Sequence, residues 1–393
     1  MPTYAILRDL STASTAGPFE AVAAAREDGP SEPRVDVEEL SKEDVRQVAR
    51  DPQVRALAPI MPTRLVEPTE VGDPAASTTA WGVTAVGADT SDRTGTGVDV
   101  AILDTGIDAG HPAFAGVTLV QEDFTGSGNG DRKGHGTHCA GTILGRDVDG
   151  TRIGVARGVG KALIGKVLGD DGSGQSDWMF SGLQWAVQQG ARVVSISIEL
   201  DFPNFVKKQI DGGTPADVAT SHALEAYRAN LRMFDVLMQM NRSLEPFGNG
   251  AVVVGAAGNG SHRDVNPDFE VSVELPAAAD GVVSVAALAQ SQGGLQVAPF
   301  SNTLAQISGP GVDVLSAKLG GGLTSKSGTS MACPHVAGVT ALWWETAAAS
   351  ALPATPATVT AKLLASAATN GFASGVEVAD RGVGLVRAPQ PAA

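Results

Sequence analysis

Gly328-Thr329-Ser330-Met331-Ala332-Cys333-Pro334-His335-Val336-Ala337-Gly338 is the stretch on which the reading of this chain turns. Val336, Val339, Leu342 and Trp343 recur at helical spacing, so the stretch opens a buried helix with Ser330 at its mouth. Pro334 is expected in the first turn, where a missing N–H costs nothing. The backbone N–H of Ser330 then points out of the helix without an intrahelical acceptor. A hydroxyl beside an unpaired amide donor is what a nucleophile attacking a carbonyl requires.

Three segments upstream supply its partners. Val98-Asp99-Val100-Ala101-Ile102-Leu103 is a short apolar run stopped by Asp104 and Gly106, as expected of a strand buried in a parallel sheet. Asp104 would stand at its C-terminal end, where open α/β sheets gather their sites. Gly134-His135-Gly136-Thr137-His138-Cys139-Ala140-Gly141 puts His135 at the start of a helix running to near Leu144, with one ring nitrogen toward Asp104. Ala251-Val252-Val253-Val254-Gly255 leads into Ala256-Ala257-Gly258-Asn259-Gly260, whose Asn259 amide is a second donor beside Ser330 N–H.

Together, in the order Asp, His, Ser, these segments resemble the subtilisin-like serine proteases. The resemblance covers residues 81 to 388, from Trp81-Gly82-Val83 to Gly382-Val383-Gly384-Leu385-Val386, with residues 389 to 393 as a tail. It implies an α/β fold of three layers around a mostly parallel central sheet. It assigns Asp104, His135 and Ser330 to catalysis, Asn259 and Ser330 N–H to an oxyanion hole, and Gly172, Ser173, Gly174, Ser197, Ile198, Glu199 and Gly258 to substrate binding. The implied activity is a serine endopeptidase that works through an acyl-enzyme on extended polypeptides. An acyl transferase or peptide ligase on the same triad, and a catalytically silent binding protein, are the alternatives. An α/β-hydrolase esterase is disfavoured, since no Gly-x-Ser-x-Gly elbow occurs and the order of the triad is wrong.

Two departures from the family stand out. In Val193-Val194-Ser195-Ile196-Ser197-Ile198-Glu199-Leu200 the family commonly has two glycines where Glu199 and Leu200 stand. Glu199 therefore reads either as a carboxylate on the P1 wall selecting Lys or Arg, or as a solvent-facing residue. Residues 201 to 244 form an atypical insertion with a long helix over Ala216 to Ser243, its core face expected on Leu224, Tyr227, Leu231, Phe234, Leu237 and Met238. An elaborated surface helix is favoured there over a lid. Asp147, Asp149 and Thr151 lie where subtilases often carry a calcium loop, and their oxygens suit that ion. No cofactor is needed for the chemistry. His138 and His335 match family positions that pack beside the site, while His111, His222 and His262 read as surface residues.

Ahead of the family match, Tyr4 to Leu7, Arg34 to Val37, Ser41 to Arg50 and Val54 to Ile60 sketch strand, strand, helix, strand, with Ser41 as the helix cap. Residues 1 to 68 resemble a subtilase prodomain, an inhibitor and intramolecular chaperone that would be the chain's own partner. Residues 69 to 80 are the linker, and the processing region is expected between Glu67 and Thr79, a stretch rich in Pro, Gly, Ser and Thr.

A net charge of −15 argues against nucleic acid or an anionic membrane as partner. No apolar run approaches the ~20 residues of a membrane span. Two cysteines exclude a disulfide framework. The first residues lack a basic start followed by a long apolar core, so a cytoplasmic location is expected, with export by another route left open.

Overall fold

The computed structural model describes the chain except for residues 10–32, 67, 72–77, 352 and 392–393. At the N-terminal side β1 (Thr3–Arg8) pairs antiparallel with both β2 (Arg34–Glu39) and β3 (Val54–Pro59), and α1 (Lys42–Val48) connects β2 to β3. Ser41 and Asp44 close a reciprocal capping box at the start of α1, satisfying two of its orphan donors. Arg8 binds the unit across its strands, its guanidinium reaching Asp36, Glu38 and Asp51.

The chain then runs into β4 (Pro62–Leu65) and β5 (Thr69–Val71) before α2 (Trp81–Ala85). Thr69–Val71 is thus a strand, where the composition had suggested irregular linker. Its backbone pairs antiparallel with the strand later in the chain at Leu323–Ser327.

Residues 95 onward build the main body. Its elements are β6 (Val100–Asp104), β7 (Thr118–Asp123), α3 (His135–Leu144), β8 (Lys161–Lys166), β9 (Ser173–Gln175) and α4 (Ser176–Gln188). Then follow β10 (Val193–Ile196), β11 (Ile198–Leu200), α5 (Phe202–Asp211), α6 (Ala216–Ser243) and β12 (Val252–Ala256). The last are β13 (Val282–Ser291), β14 (Gly294–Val297), β15 (Ile307–Pro310), β16 (Val314–Ala317), β17 (Leu323–Ser327), α7 (Thr329–Ala348) and α8 (Pro356–Ala365).

The central sheet runs β14-β13-β12-β10-β6-β8-β7, with β15 also on β13. Every pairing in it is parallel except the β13–β14 hairpin. Such a sheet must be covered on both faces, and the side-chain alternation shows how. In β6, Val100 and Ile102 pack with α3, α7 and α8, while Ala101 and Leu103 pack with α4 and α6. The result is three layers around one sheet, as expected.

Helix α6 runs over Ala216–Ser243, the span its periodicity indicates. Of the expected face, Phe234, Leu237 and Met238 are buried and Tyr227 and Leu231 pack half-buried against the same core, while Leu224 is exposed; Ala219, Ala223, Ala226 and Met233 complete the buried stripe. The small alanines set the contact because they let neighbouring backbone approach closely. What approaches is β3, and Asn230 Nδ2 donates to Pro59 O at 2.9 Å. Ala5 and Leu7 of β1 join the same apolar cluster, so the insertion is a platform for the N-terminal unit.

Candidate active site

β6 ends on Asp104 and α3 begins on His135, so the sheet's C-terminal edge and a helix N-terminus deliver the two side chains to one point. Asp104 Oδ1 and Oδ2 lie 2.8 and 2.9 Å from His135 Nδ1, and Oδ1 also accepts from Thr105 N at 2.7 Å. All three residues are buried. This close approach needs a glycine: a Cβ on Gly136 would fall 2.1 Å from the carbonyl of Gly106.

The scaffold of that pair is Asp131, a residue for which the sequence offered no signal beyond a turn. Its carboxylate accepts from Thr105 Oγ1, Lys133 N, Gly134 N, Thr137 N and Thr137 Oγ1, all within 3.0 Å. One carboxylate thereby ties the loop after β6 to the first turn of α3, and the negative charge meets the positive end of the helix dipole.

Ser330 sits in the first turn of α7, which begins at Thr329. Pro334 therefore lies one turn further in than expected, and the carbonyl it leaves without an intrahelical donor is that of Ser330. Cys139 Sγ, at 3.4 Å, and Ser197 Oγ, at 3.5 Å, donate to it instead. Both cysteines are free and buried; burial pushes the Cys333 thiol up to about 11 and the Cys139 thiol well above its ordinary value. Asn259 Oδ1 accepts from Thr329 N and Thr329 Oγ1, both at 2.9 Å, which fixes the amide beside the start of α7. A Cβ on Gly328 would come within 3.1 Å of Asn259 Nδ2, so this nitrogen lies close to the residue that precedes α7.

His138 donates from Nε2 to Val314 O at 3.0 Å, and His335 donates from Nδ1 to Met331 O at 2.8 Å. Desolvation by burial lowers their pKa values to about 3 and about 4. Trp81-Gly82-Val83 is clamped on His335: a Cβ on Gly82 would sit 2.0 Å from its Nε2. His111 is a correction to the surface reading. It is buried, accepts from Ala113 N through Nδ1, and has Nε2 within 2.9 Å of Gly322 O. His222 and His262 are exposed, as expected.

The cleft is filled by the chain itself. β4 lies antiparallel between β9 and β11, with Thr63 opposite Gly174 and Leu200, Arg64 opposite Ser173 and Glu199, and Leu65 opposite Ile198. Leu65 N donates to Gly172 O at 2.9 Å. Gly172, Ser173, Gly174, Ile198 and Glu199 are thus brought together around residues 62 to 65, while Ser197 and Gly258 bond to the start of α7. Immediately after them the Val66 carbonyl receives the Ser330 hydroxyl at 3.2 Å. That hydroxyl is turned from His135 Nε2, which is buried and has no partner among the described residues. Beyond the nucleophile, β5 pairs with β17. Of the expected processing region, Glu67 and residues 72–77 lie outside the described residues.

Glu199 is not solvent-facing. It is 5% exposed, and its Oε1 accepts from Arg64 Nε at 2.6 Å, with Asp201 Oδ1 3.5 Å from the same guanidinium. Gly258, the glycine before Asn259, has a φ of 107° and leaves room for Asn302 and Glu274. Asp147, Asp149 and Thr151 fall on a tight turn closed by reciprocal hydrogen bonds between Val148 and Thr151. The Asp147 carboxylate there is 3.9 Å from Arg157.

A sequence profile described as the Subtilase family matches residues 95–385. The chain is 34% identical over 263 residues to "Intracellular serine protease" of Paenibacillus polymyxa, covering 65% of this chain and 69% of that protein. It is 29% identical over 313 residues to "Thermostable alkaline protease" of Halalkalibacterium halodurans, covering 77% and 70%. To "Major intracellular serine protease" of Bacillus subtilis it is 31% identical over 256 residues, covering 63% and 68%.

Proposed function

Because the chain belongs to the subtilase family and is a serine-type endopeptidase, we propose that it cuts extended polypeptides through Asp104, His135 and Ser330, and that residues 1 to 68 are its own inhibitory and chaperoning prodomain. The observation that carries this is β4 seated as a strand between β9 and β11 with the Val66 carbonyl on Ser330 Oγ. Strand addition of this kind recognises backbone, and so suits many polypeptides in extended form.

In the reaction, His135 Nε2 takes the Ser330 proton as Oγ bonds to the scissile carbonyl carbon, and Asp104 holds the ring and stabilises its cation. Asn259 Nδ2 and Ser330 N–H receive the charge that develops on the carbonyl oxygen. The C–N bond breaks as His135 returns the proton to the leaving amine. Water then repeats the sequence, with its proton passing through His135 and Oγ leaving the acyl group.

For the chain's own segment the bond presented is Val66–Glu67, at the edge of the expected processing region. Tethering gives the segment an effective concentration in the mM range, so it inhibits until cut. N-terminal sequencing tests this: wild type yields two fragments, Ser330→Ala stays whole, and added residues 1 to 68 inhibit the mature form. An intact wild type that cleaves peptides at full rate overturns it. Products formed with added amines distinguish hydrolysis from acyl transfer.

Two relatives carry "intracellular" in their names, and no helix among the described residues is long and apolar enough to cross a membrane. A cytoplasmic location is the reading these support, and cell fractionation tests it. Structural calcium at Asp147, Asp149 and Thr151 is a separate proposal. Chelation should lower Tm in wild type and not in Asp149→Ala; no shift in wild type ends it.

A further inference from the structure

Beside the nucleophile lies an acidic pair that the hydrolytic steps do not use. Glu274 N donates to Ala257 O, and Leu200 N donates to Leu275 O, so Glu274 stands between the wall at residues 198 to 200 and the wall at residues 257 to 259. Its Oε2 would be 3.0 Å from a Cβ on Gly258, and its carboxyl meets that of Glu199. The first wall pairs with residues 63 to 65, just before Val66, and the second ends on Asn259, which is bonded to the start of α7, so the pair stands between the two segments that border Val66 and Ser330.

Two observations mark this site as suited to a cation. Glu199 is nine-tenths buried with Arg64 on Oε1, and its carboxyl meets that of Glu274 across a shared proton, so two acidic groups crowd together with one hydrogen between them. Val66 is 1% exposed but joins none of the apolar clusters, and it offers these oxygens neither charge nor donor. Two carboxyls crowded in a poorly solvated site are costly when both are charged, and the place of their shared proton suits a cation.

We propose that Glu274, with Glu199 beside it, makes this pocket select lysine or arginine as the residue on the acyl side of the cut. A guanidinium or ammonium would take the place of the proton the two carboxyls share, in a site where charge-assisted bonds are strong. The chain's own Val66 is then a poor occupant, held by backbone pairing and by Arg64 on Glu199 rather than by its side chain. The proposal rests on the endopeptidase reading above and adds its substrate class.

The groups that face the pair are Arg64, Asp201 and Tyr227. Burial first, then Glu199, pushes the Glu274 carboxyl up to about 9, so the pair keeps a proton at neutral pH. A bound cation must displace that proton, and selection therefore sharpens as pH rises toward 9.

The test uses the full chain as expressed and peptides differing only at the acyl-side residue, with Arg, Lys, Gln or Val. Wild type should favour Arg or Lys over Val by about 10²-fold in kcat/KM at pH 8, by the scale of a buried charge pair. The ratio should climb from pH 6 to 9. Glu274→Gln should lower the Arg/Val ratio by about 10–100-fold and flatten its pH dependence, and Glu274→Asp should restore part of it. Labelling of Ser330 by a fluorophosphonate reports a folded site independently of the pocket. Labelled wild type that cuts the Val peptide as well as the Arg peptide overturns the specificity alone, as does an unchanged ratio in labelled Glu274→Gln. Wild type that neither labels nor cuts any peptide overturns the endopeptidase reading and the specificity with it.

Discussion

Ser330 lies between two buried acidic centres built on opposite plans. On one side Asp104 and Asp131 are saturated, Asp131 alone accepting five hydrogen bonds from Thr105, Lys133, Gly134 and Thr137. On the other, Glu199 and Glu274 crowd together and share a proton. The source of the hydrogen separates them. A carboxylate met by fixed backbone and side-chain donors is finished in the folded chain and can only position what it holds, whereas a crowded pair that keeps a proton can exchange it for a cationic ligand.

The largest effect should come from the saturated side. Asp104→Asn should lower kcat about 10⁴-fold with the fold intact, because the amide leaves His135 in the wrong tautomer. An Asp104→Asn protein of near wild-type kcat would erase the distinction. Next, Asn259→Leu should cost about 10²–10³ in kcat with little change in KM, since its amide meets charge only in the transition state. A KM effect alone would give Asn259 to binding instead.

Asp131→Ala should then cost about 2–3 kcal/mol of stability, because five donors lose one acceptor. Thermal unfolding of Ser330→Ala backgrounds measures this without self-digestion. The same background separates the sites by pH. The folded pKa values of His138 and His335, about 3 and about 4, lie below the ordinary 6.5. Their contribution is present above pH 6.5 and lost as pH falls through those values. Glu274 is raised from 4.5 to about 9, so its contribution is present below 4.5 and lost as pH rises through 9. Tm should therefore fall on both sides of a mid-range maximum, and Glu274→Gln should flatten the alkaline limb only. The smallest effect belongs to Cys139→Ala. Ser330 O keeps the Ser197 hydroxyl, so kcat/KM on a peptide substrate should stay within a few fold of wild type.

Legibility in the sequence followed the same division. Asp104, His135, Asn259 and Ser330 announce themselves because each ends or begins an element whose apolar pattern can be read, and the three layers follow from the family resemblance that those segments carry. Asp131 is silent because its role is to accept from backbone amides of a loop, and a loop's path is not periodic. Glu274 is silent because it meets Glu199 only after residues 75 apart are folded together; Glu199 alone was visible, as a departure from two glycines. In α6 the period and most of the face are legible. Leu224 alone falls outside, and the alanines that complete the buried stripe are silent because alanine marks neither a core face nor a surface one. Pro334 was placed one turn too early because the two side-chain donors that compensate for it come from Cys139 and Ser197, far away in the chain.

β5 carries one consequence further. The segment is gripped on both sides of Val66, by β9 and β11 before it and by β17 after it. Hydrolysis of the Val66–Glu67 bond would therefore be a nick and not a release. Each new end would stay attached to a strand that is still paired, β4 on one side and β5 on the other. Freedom of the cleft would then be timed by the slower peeling away of two short β-ladders, and the lag before activity would report dissociation instead of bond cleavage.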